Sequence, residues 1–165
     1  GKSGEKWLKV EESPPKWRTS PEGGDKMLTG QYTHSIDAKG RVNFPAKLRE
    51  ELGERFIITR GLDNCLFVYS VDEWDQLAAK LHELPISKSA PLNRFFFAGA
   101  AEAEPDKQGR VLLPAHLREY AGLDRDVTIA GVSNRAEIWD SERWEKQNEQ
   151  LTAQSIATAM DELGF

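Results

Sequence analysis

The stretch "DAKGRVNFPAKLRE", Asp37–Glu50, returns 69 residues later as "DKQGRVLLPAHLRE", Asp106–Glu119. Nine of the fourteen positions are identical: Asp, Gly, Arg, Val, Pro, Ala, Leu, Arg and Glu. Each copy reads as a polar turn, a short apolar strand and a short helix. Asp opens and Gly closes a four-residue reversal, the preferred ends of a type I turn. Pro45 and Gly53 then bracket a helix in the usual order, with proline at its start and glycine just past its end. Leu48 and Leu52 fall at i, i+4 and give that helix its apolar face.

Outward from this block, each half continues in the same order. "QYTHSI" alternates and predicts a strand before the first copy, and "AAEAEP" predicts one before the second. "RFIITRG" and "CLFVYS" follow the first copy as strands joined by a Gly-Leu-Asp-Asn turn, and "DVTIAG" and "RAEIWD" follow the second. Past the helix the offset becomes 70: Gly61 matches Gly131, Asn64 matches Asn134 and Trp74 matches Trp144. Between the halves, "SVDE" has the form of a capping box opening a helix through "WDQLAAKLHEL", closed by Pro85. "LNRFFFAG" fits a linking helix through Leu92, Phe95 and Phe96, with a strand as the alternative. A further helix is expected from about Ser141 into the C-terminal region. The organisation is then a first unit over 31–73, a helical linker over 74–99, a second unit over 100–143 and a C-terminal helix over 144–165. A unit of about 45 residues is too small to bury a stable core alone. The expected fold is therefore α+β, mainly β: two units with interleaved hairpins forming one pseudo-two-fold β-barrel with peripheral helices.

Composition narrows the function. Hydrophobic residues make up 39% and charged residues 30% of the 165, a soluble globular balance. The apolar run "FFFAGAA" is far too short to span a bilayer. Cys65 is the single cysteine, so an intrachain disulfide is impossible and a reducing cytoplasm is expected. It is read as a buried thiol. The net charge of −5 weighs against nucleic acid unless the basic residues gather on one face. No phosphate-binding glycine motif, metal-ligand spacing or nucleophile elbow occurs, and His34, His82 and His116 are scattered. Neither an enzyme nor a cofactor is expected.

The turns carry the remaining chemistry. D-x-x-G-R places Asp and Arg at i, i+4 around a tight reversal, with Lys39 at the tip in the first copy and Lys107 and Gln108 in the second. Asp37 and Asp106 suit a structural role, accepting the turn's own backbone N–H groups. Arg41 and Arg110, projecting from narrow loops, suit guanine, whose O6 and N7 accept a bidentate arginine. Arg49 and Arg118, on the short helices, are read as solvated or engaged between subunits. Trp74, Trp139 and Trp144 are read as packing residues.

Two copies of D-x-x-G-R-[VL]-x-x-P-x-x-L-R-E, with "FFFAGAAE" before the second and "EIWD" after it, resemble the MraZ family of bacterial transcriptional regulators. The resemblance covers 27–165. It implies that each half is a SpoVT–AbrB swapped-hairpin unit and that chains assemble into a ring-shaped homo-oligomer. It further implies binding of double-stranded DNA at G-rich direct repeats upstream of the protein's own gene, at the head of the division and cell-wall cluster, and a nucleoid-associated place in the cytoplasm. The family's D-x-x-x-R motif falls on Asp37 with Arg41 and on Asp106 with Arg110. Lys39, Lys107 and Gln108 lie in the same loops, oriented by Gly40 and Gly109. The rival expectation is an antitoxin-like interaction module, since units of this type also grip partner proteins.

Residues 1–26 read as a disordered extension: they lack apolar periodicity and hold three of the eight prolines. They also permit a second reading, as translated upstream DNA ahead of a start at Met27. "KSG", "KW" and "KVE" allow the word AGTGG beginning at nucleotides 7, 17 and 27 counted from Gly1, with a fourth at 47 in Lys16-Trp17 and a degenerate AGTCC at 37. That 10-nucleotide spacing is about one turn of B-DNA.

Overall fold

The computed structural model describes residues 27–165, and both readings of 1–26 lie outside them. The first half runs β1 (Gln31–Ser35), β2 (Arg41–Asn43), α1 (Ala46–Leu52), β3 (Phe56–Arg60) and β4 (Leu66–Ser70). The second repeats it as β5 (Ala101–Ala103), β6 (Arg110–Leu112), α4 (Ala115–Ala121), β7 (Asp126–Gly131) and β8 (Ala136–Asp140). Helices α2 (Val71–His82) and α3 (Ile86–Phe96) lie between the halves, and α5 (Ser141–Asn148) and α6 (Ala153–Glu162) follow the second.

The strands form an antiparallel six-stranded sheet in the order β1-β7-β8-β4-β3-β5 and a separate ribbon of β2 with β6. The first strand of each half pairs with the third strand of the other, β1 with β7 and β5 with β3. Exchanging the halves turns the sheet order into its own reverse. The implied two-fold passes between Val42 and Val111 in the ribbon and between Phe67 and Glu137 in the sheet, where equivalent residues face one another.

The expected closed barrel is corrected to an open sheet plus a ribbon. Its edges, β1 and β5, do not meet. Pro45 and Pro114 follow β2 and β6 closely and have no N–H to extend the ladder, so the ribbon stops at three residues a strand. Pro105 limits β5 in the same way.

The sheet is covered on both faces. On one, Val42, Phe44, Val111 and Leu113 of the ribbon segments join Leu48, Leu52, Leu117 and Ala121 of α1 and α4 against Phe56, Ile58, Leu66, Val68, Val127, Ile129 and Ile138. On the other, Cys65, Phe67, Tyr69 and Trp139 pack with Trp74, Leu77, Phe96 and Trp144 from α2, α3 and α5. Trp74 stacks on Phe97 with centroids 4.5 Å apart, and Trp139 meets Trp144 edge-on at 5.8 Å. Trp74 and Trp144 pack, as their positions just inside helices suggested, and Trp139 packs from β8.

The segment "LNRFFFAG" resolves largely as helix, within α3. Ser70 caps α2, its hydroxyl accepting from the Glu73 N–H. The C-terminal run, expected as one helix, is two. Thr152 and Ser155 form a reciprocal cap that starts α6 afresh, each side chain accepting from the other's backbone N–H at 3.1 Å. Every residue of α6 is exposed, including Ile156 and Met160. Among the described residues, no helix is long and apolar enough to cross a membrane.

Candidate nucleic-acid interface

The two repeated turns sit at the ends of the β2–β6 ribbon and are built alike. In the first, the Gly40 N–H donates to the Asp37 carbonyl at 3.0 Å and the Asp37 N–H to the Arg41 carbonyl at 2.8 Å. The Asp37 side chain ties the loop internally: Oδ1 accepts from the N–H groups of Lys39 and Arg41, both at 2.9 Å, and Oδ2 accepts from Arg41 Nε at 2.9 Å. In the second, Asp106 Oδ1 accepts from the N–H groups of Gln108 and Arg110 and Oδ2 from Arg110 Nε, again at 2.9 Å. In both turns the aspartate side chain accepts backbone N–H groups of its own loop.

These bonds favour the charged carboxylate. Asp37 and Asp106 lie below the ordinary carboxylate range, chiefly through the backbone N–H of Arg41 and of Arg110. Gly40 and Gly109 take φ of +85° and +81°, in the region that disfavours side chains. Within D-x-x-G-R, Asp supplies the acceptors, Gly the reversal, and Arg is held at Nε.

The loops differ in one bond. Arg110 Nη2 also donates to Gln108 Oε1 at 2.9 Å. Lys39, at the equivalent position in the first loop, carries no acceptor. Among the described residues Arg41 is therefore anchored by Asp37 alone. Lys39, Lys107 and Gln108 are exposed, and Arg41 and Arg110 half-buried.

The turns are joined across the two-fold. The Phe44 N–H donates to the Gly109 carbonyl at 2.8 Å, and the Leu113 N–H to the Gly40 carbonyl at 2.9 Å. With Val42 and Val111 buried, alternation along the ribbon turns Arg41, Asn43, Arg110 and Leu112 to its other face. Asn43 and Leu112 were missed as candidate site residues. Strand alternation was the signal that could have found them. Arg49 and Arg118 are not simply solvated: Arg49 Nε donates to the Phe44 carbonyl and Arg118 Nε to the Leu113 carbonyl, both at 2.9 Å. His116 stands apart from the turns, its Nε2 3.1 Å from the Gly99 carbonyl. Among the described residues no cluster of His, Cys, Asp and Glu is arranged to hold a metal ion.

The family model described as "MraZ protein, putative antitoxin-like" matches residues 27–91 and 96–163. The chain belongs to the MraZ family. Relatives named "Transcriptional regulator MraZ" include that of Acetivibrio thermocellus, 58% identical over 143 residues, covering 84% of this chain and 100% of the relative. Those of Thermoanaerobacter sp. (strain X514) and Caldicellulosiruptor bescii are 56% and 58% identical, with the same coverage. The match in two parts coincides with the two halves, so the duplicated loop is a feature of a duplicated MraZ unit.

Proposed function

We propose that this MraZ chain is a transcriptional regulator that binds double-stranded DNA sequence-specifically as a ring-shaped homo-oligomer. Its targets are G-rich direct repeats about 10 base pairs apart upstream of its own gene, which heads the division and cell-wall cluster. The observation that carries the reading is the pair of braced Asp–Arg loops at the ends of a two-stranded ribbon. A ribbon of this kind fits the major groove of B-DNA, and an arginine held at Nε offers its η nitrogens to guanine O6 and N7. Arg41 and Arg110 read guanine. Lys39, Lys107 and Gln108 reach phosphates or base edges. Asp37, Asp106, Gly40 and Gly109 hold the loops in shape. The names of the relatives support a role in transcription regulation.

In this reading the units 31–73 and 100–143 are SpoVT–AbrB units, and their exchanged strands are the swapped hairpins of that architecture. Segments 74–99 and 144–165 serve assembly. A ring sets many loops along one rim while the acidic remainder faces elsewhere, which reconciles a net charge of −5 with a phosphate polyanion. Modest contacts per subunit then combine through multivalency. The protein acts in the cytoplasm, at the nucleoid, without a cofactor.

Titrating a fluorescent duplex from the upstream region against a scrambled duplex at fixed salt tests the reading. Preference for the upstream duplex is expected, and equal affinity for the two refutes it. The gene sequence tests the target separately. A TCN codon at Ser3 or AAA at Lys6 breaks the 10-nucleotide pattern there.

A second reading, an antitoxin-like partner-binding module, draws on the wording of the family description and on α6, whose Ile156 and Met160 are exposed. One stoichiometric protein partner, together with no binding of upstream DNA, would favour it.

A further inference from the structure

Resting on the reading of the loops as the DNA contact, we propose that Arg49 and Arg118 are positioning residues that act across the two-fold. Arg118 of the second half fixes the 37–40 loop, and Arg49 of the first half fixes the 106–109 loop.

Two connections link each arginine to the opposite loop. The Leu113 carbonyl accepts from Arg118 Nε, and the Leu113 N–H donates to the Gly40 carbonyl. One residue of extended backbone is thus fastened to the arginine on one side and to the loop on the other. The second connection is steric. A β-carbon on Gly40 would stand 3.1 Å from Arg118 Nη2 and 3.2 Å from its Cζ, so the guanidinium lies directly over the glycine. The reciprocal set repeats both features. Arg49 Nε donates to the Phe44 carbonyl, the Phe44 N–H donates to the Gly109 carbonyl, and a β-carbon on Gly109 would stand 2.9 Å from Arg49 Nη2.

This cover explains why Gly40 and Gly109 are buried while the two residues before each of them are exposed. Two loops that reverse the chain in a region few side chains adopt are each capped by a flat cation from the other half. Among the described residues neither arginine forms an ion pair within 4.0 Å, so carboxylate pairing does not account for its place. Guanidinium is planar and donates from a fixed fork. A lysine ammonium keeps the charge but cannot both lie flat over glycine and reproduce the Nε bond. The aspartates brace each loop from within, and the arginines brace each loop from the opposite half.

The test is amide hydrogen exchange, read by NMR on the free protein, in Arg49→Ala, Arg118→Ala and the corresponding lysine variants. Arg118→Ala is expected to speed exchange several-fold at Lys39 and Gly40 and to leave Gln108 and Gly109 near wild type. Arg49→Ala is expected to do the reverse. The lysine variants are expected to follow alanine. Acceleration in the loop of the same half, uniform acceleration through β3 and β7, or none overturns the proposal. Lysine variants that keep wild-type exchange and binding while alanine loses only binding would make these residues phosphate contacts and overturn it as well. On DNA, the loss from Arg118→Ala should shrink once Arg41 is alanine and stay full once Arg110 is alanine. Because exchange is measured without DNA, crossed exchange with no effect of Arg41→Ala on binding would sink the functional reading and leave the brace standing.

Discussion

Replacing Arg41 and Arg110 by alanine, separately, puts the reading of the loops at risk. An arginine side chain has five N–H donors. In Arg41 one of them, at Nε, is taken by Asp37 Oδ2 at 2.9 Å, which leaves the η nitrogens for a base. A bidentate contact with guanine is worth about 1–3 kcal/mol, or roughly 5- to 150-fold in affinity. Arg41→Ala should lose that factor for the upstream duplex and little for scrambled DNA. Arg110 has the same anchor, but its Nη2 already donates to Gln108. Nη2 carries two hydrogens and keeps one for a base, but the bond ties the guanidinium to the loop, and turning it away from Gln108 to reach guanine loses that bond at a net cost of about 0.5–1.5 kcal/mol for so exposed a pair. Arg110→Ala should therefore cost less than Arg41→Ala, by a factor of up to roughly ten. Gln108→Ala should release Arg110 and tighten binding without adding charge. The assay is fluorescence anisotropy at constant salt near about 150 mM, where screening is fixed, with thermal melts to confirm that the variants fold. An Arg41→Ala protein that binds the upstream duplex as tightly as wild type refutes the loop assignment. One that loses less than Arg110→Ala refutes the role given to Gln108.

Leu117 lies at the centre of the main core with none of its surface exposed. Leu117→Ala should lower stability by about 2–5 kcal/mol, read as a drop in urea midpoint at constant slope, and a loss below about 1 kcal/mol would contradict its place there. Burial, with the negative charge of Glu137 adding to it, pushes the Cys65 thiol up to about 12. Thiol reagents at pH 8 should therefore label it only on unfolding, and rapid labelling of the native protein would contradict this burial. Asp37 and Asp106 lie below their ordinary value of 3.8. Groups so depressed contribute stability above the unfolded value and lose it as pH falls through the lower folded one. Exchange protection of the loop amides should hold as pH falls to the ordinary value of 3.8 and fail only below it, whereas loss near about pH 6 would implicate another group.

What the chain disclosed of this fold was what lies within one half. The spacing D-x-x-G-R specifies a turn, its acceptors and its positive-φ residue inside five positions, and the structure forms each of them. Pairing between halves was legible only as a necessity, because a unit of this size cannot bury its own core. Which strand meets which depends on contacts up to 99 residues apart, such as Gln31 opposite Ala130. The shortness of the ribbon was partly in plain view, in the prolines at 45 and 114 just past its strands. Their effect was read on the helices they precede and not on the ladders they end. The break before α6 was likewise visible as Thr152 and Ser155 at cap spacing, beneath an apolar pattern that continued past it. Arg49 and Arg118 lay beyond reach. Their partners sit in the other half, and i, i+4 arithmetic along a short helix says nothing of a glycine 60 residues away in Arg49's case.

The two-fold of the backbone and the direct repeats of the proposed operator pull in opposite directions. A reader that is symmetric in its side chains would suit an inverted repeat, since each half would meet the same base sequence on opposite strands. The outer face of the ribbon is not symmetric. Asn43 and Leu112 occupy equivalent positions on it, one an amide suited to adenine N6 and N7, the other an aliphatic side chain, 59% exposed, suited to a thymine methyl. Lys39 and Gln108 differ in the same sense. The face can therefore distinguish one direction along the duplex from the other, as a tandem array requires. Making the face symmetric should erase the distinction. A chain carrying Leu112→Asn, Gln108→Lys and Lys107→Ala, which gives both loops the sequence of the first, should bind a duplex with one repeat inverted as well as it binds the direct pair, whereas wild type prefers the direct pair. Equal preference for the direct pair in both proteins would show that direction is set elsewhere.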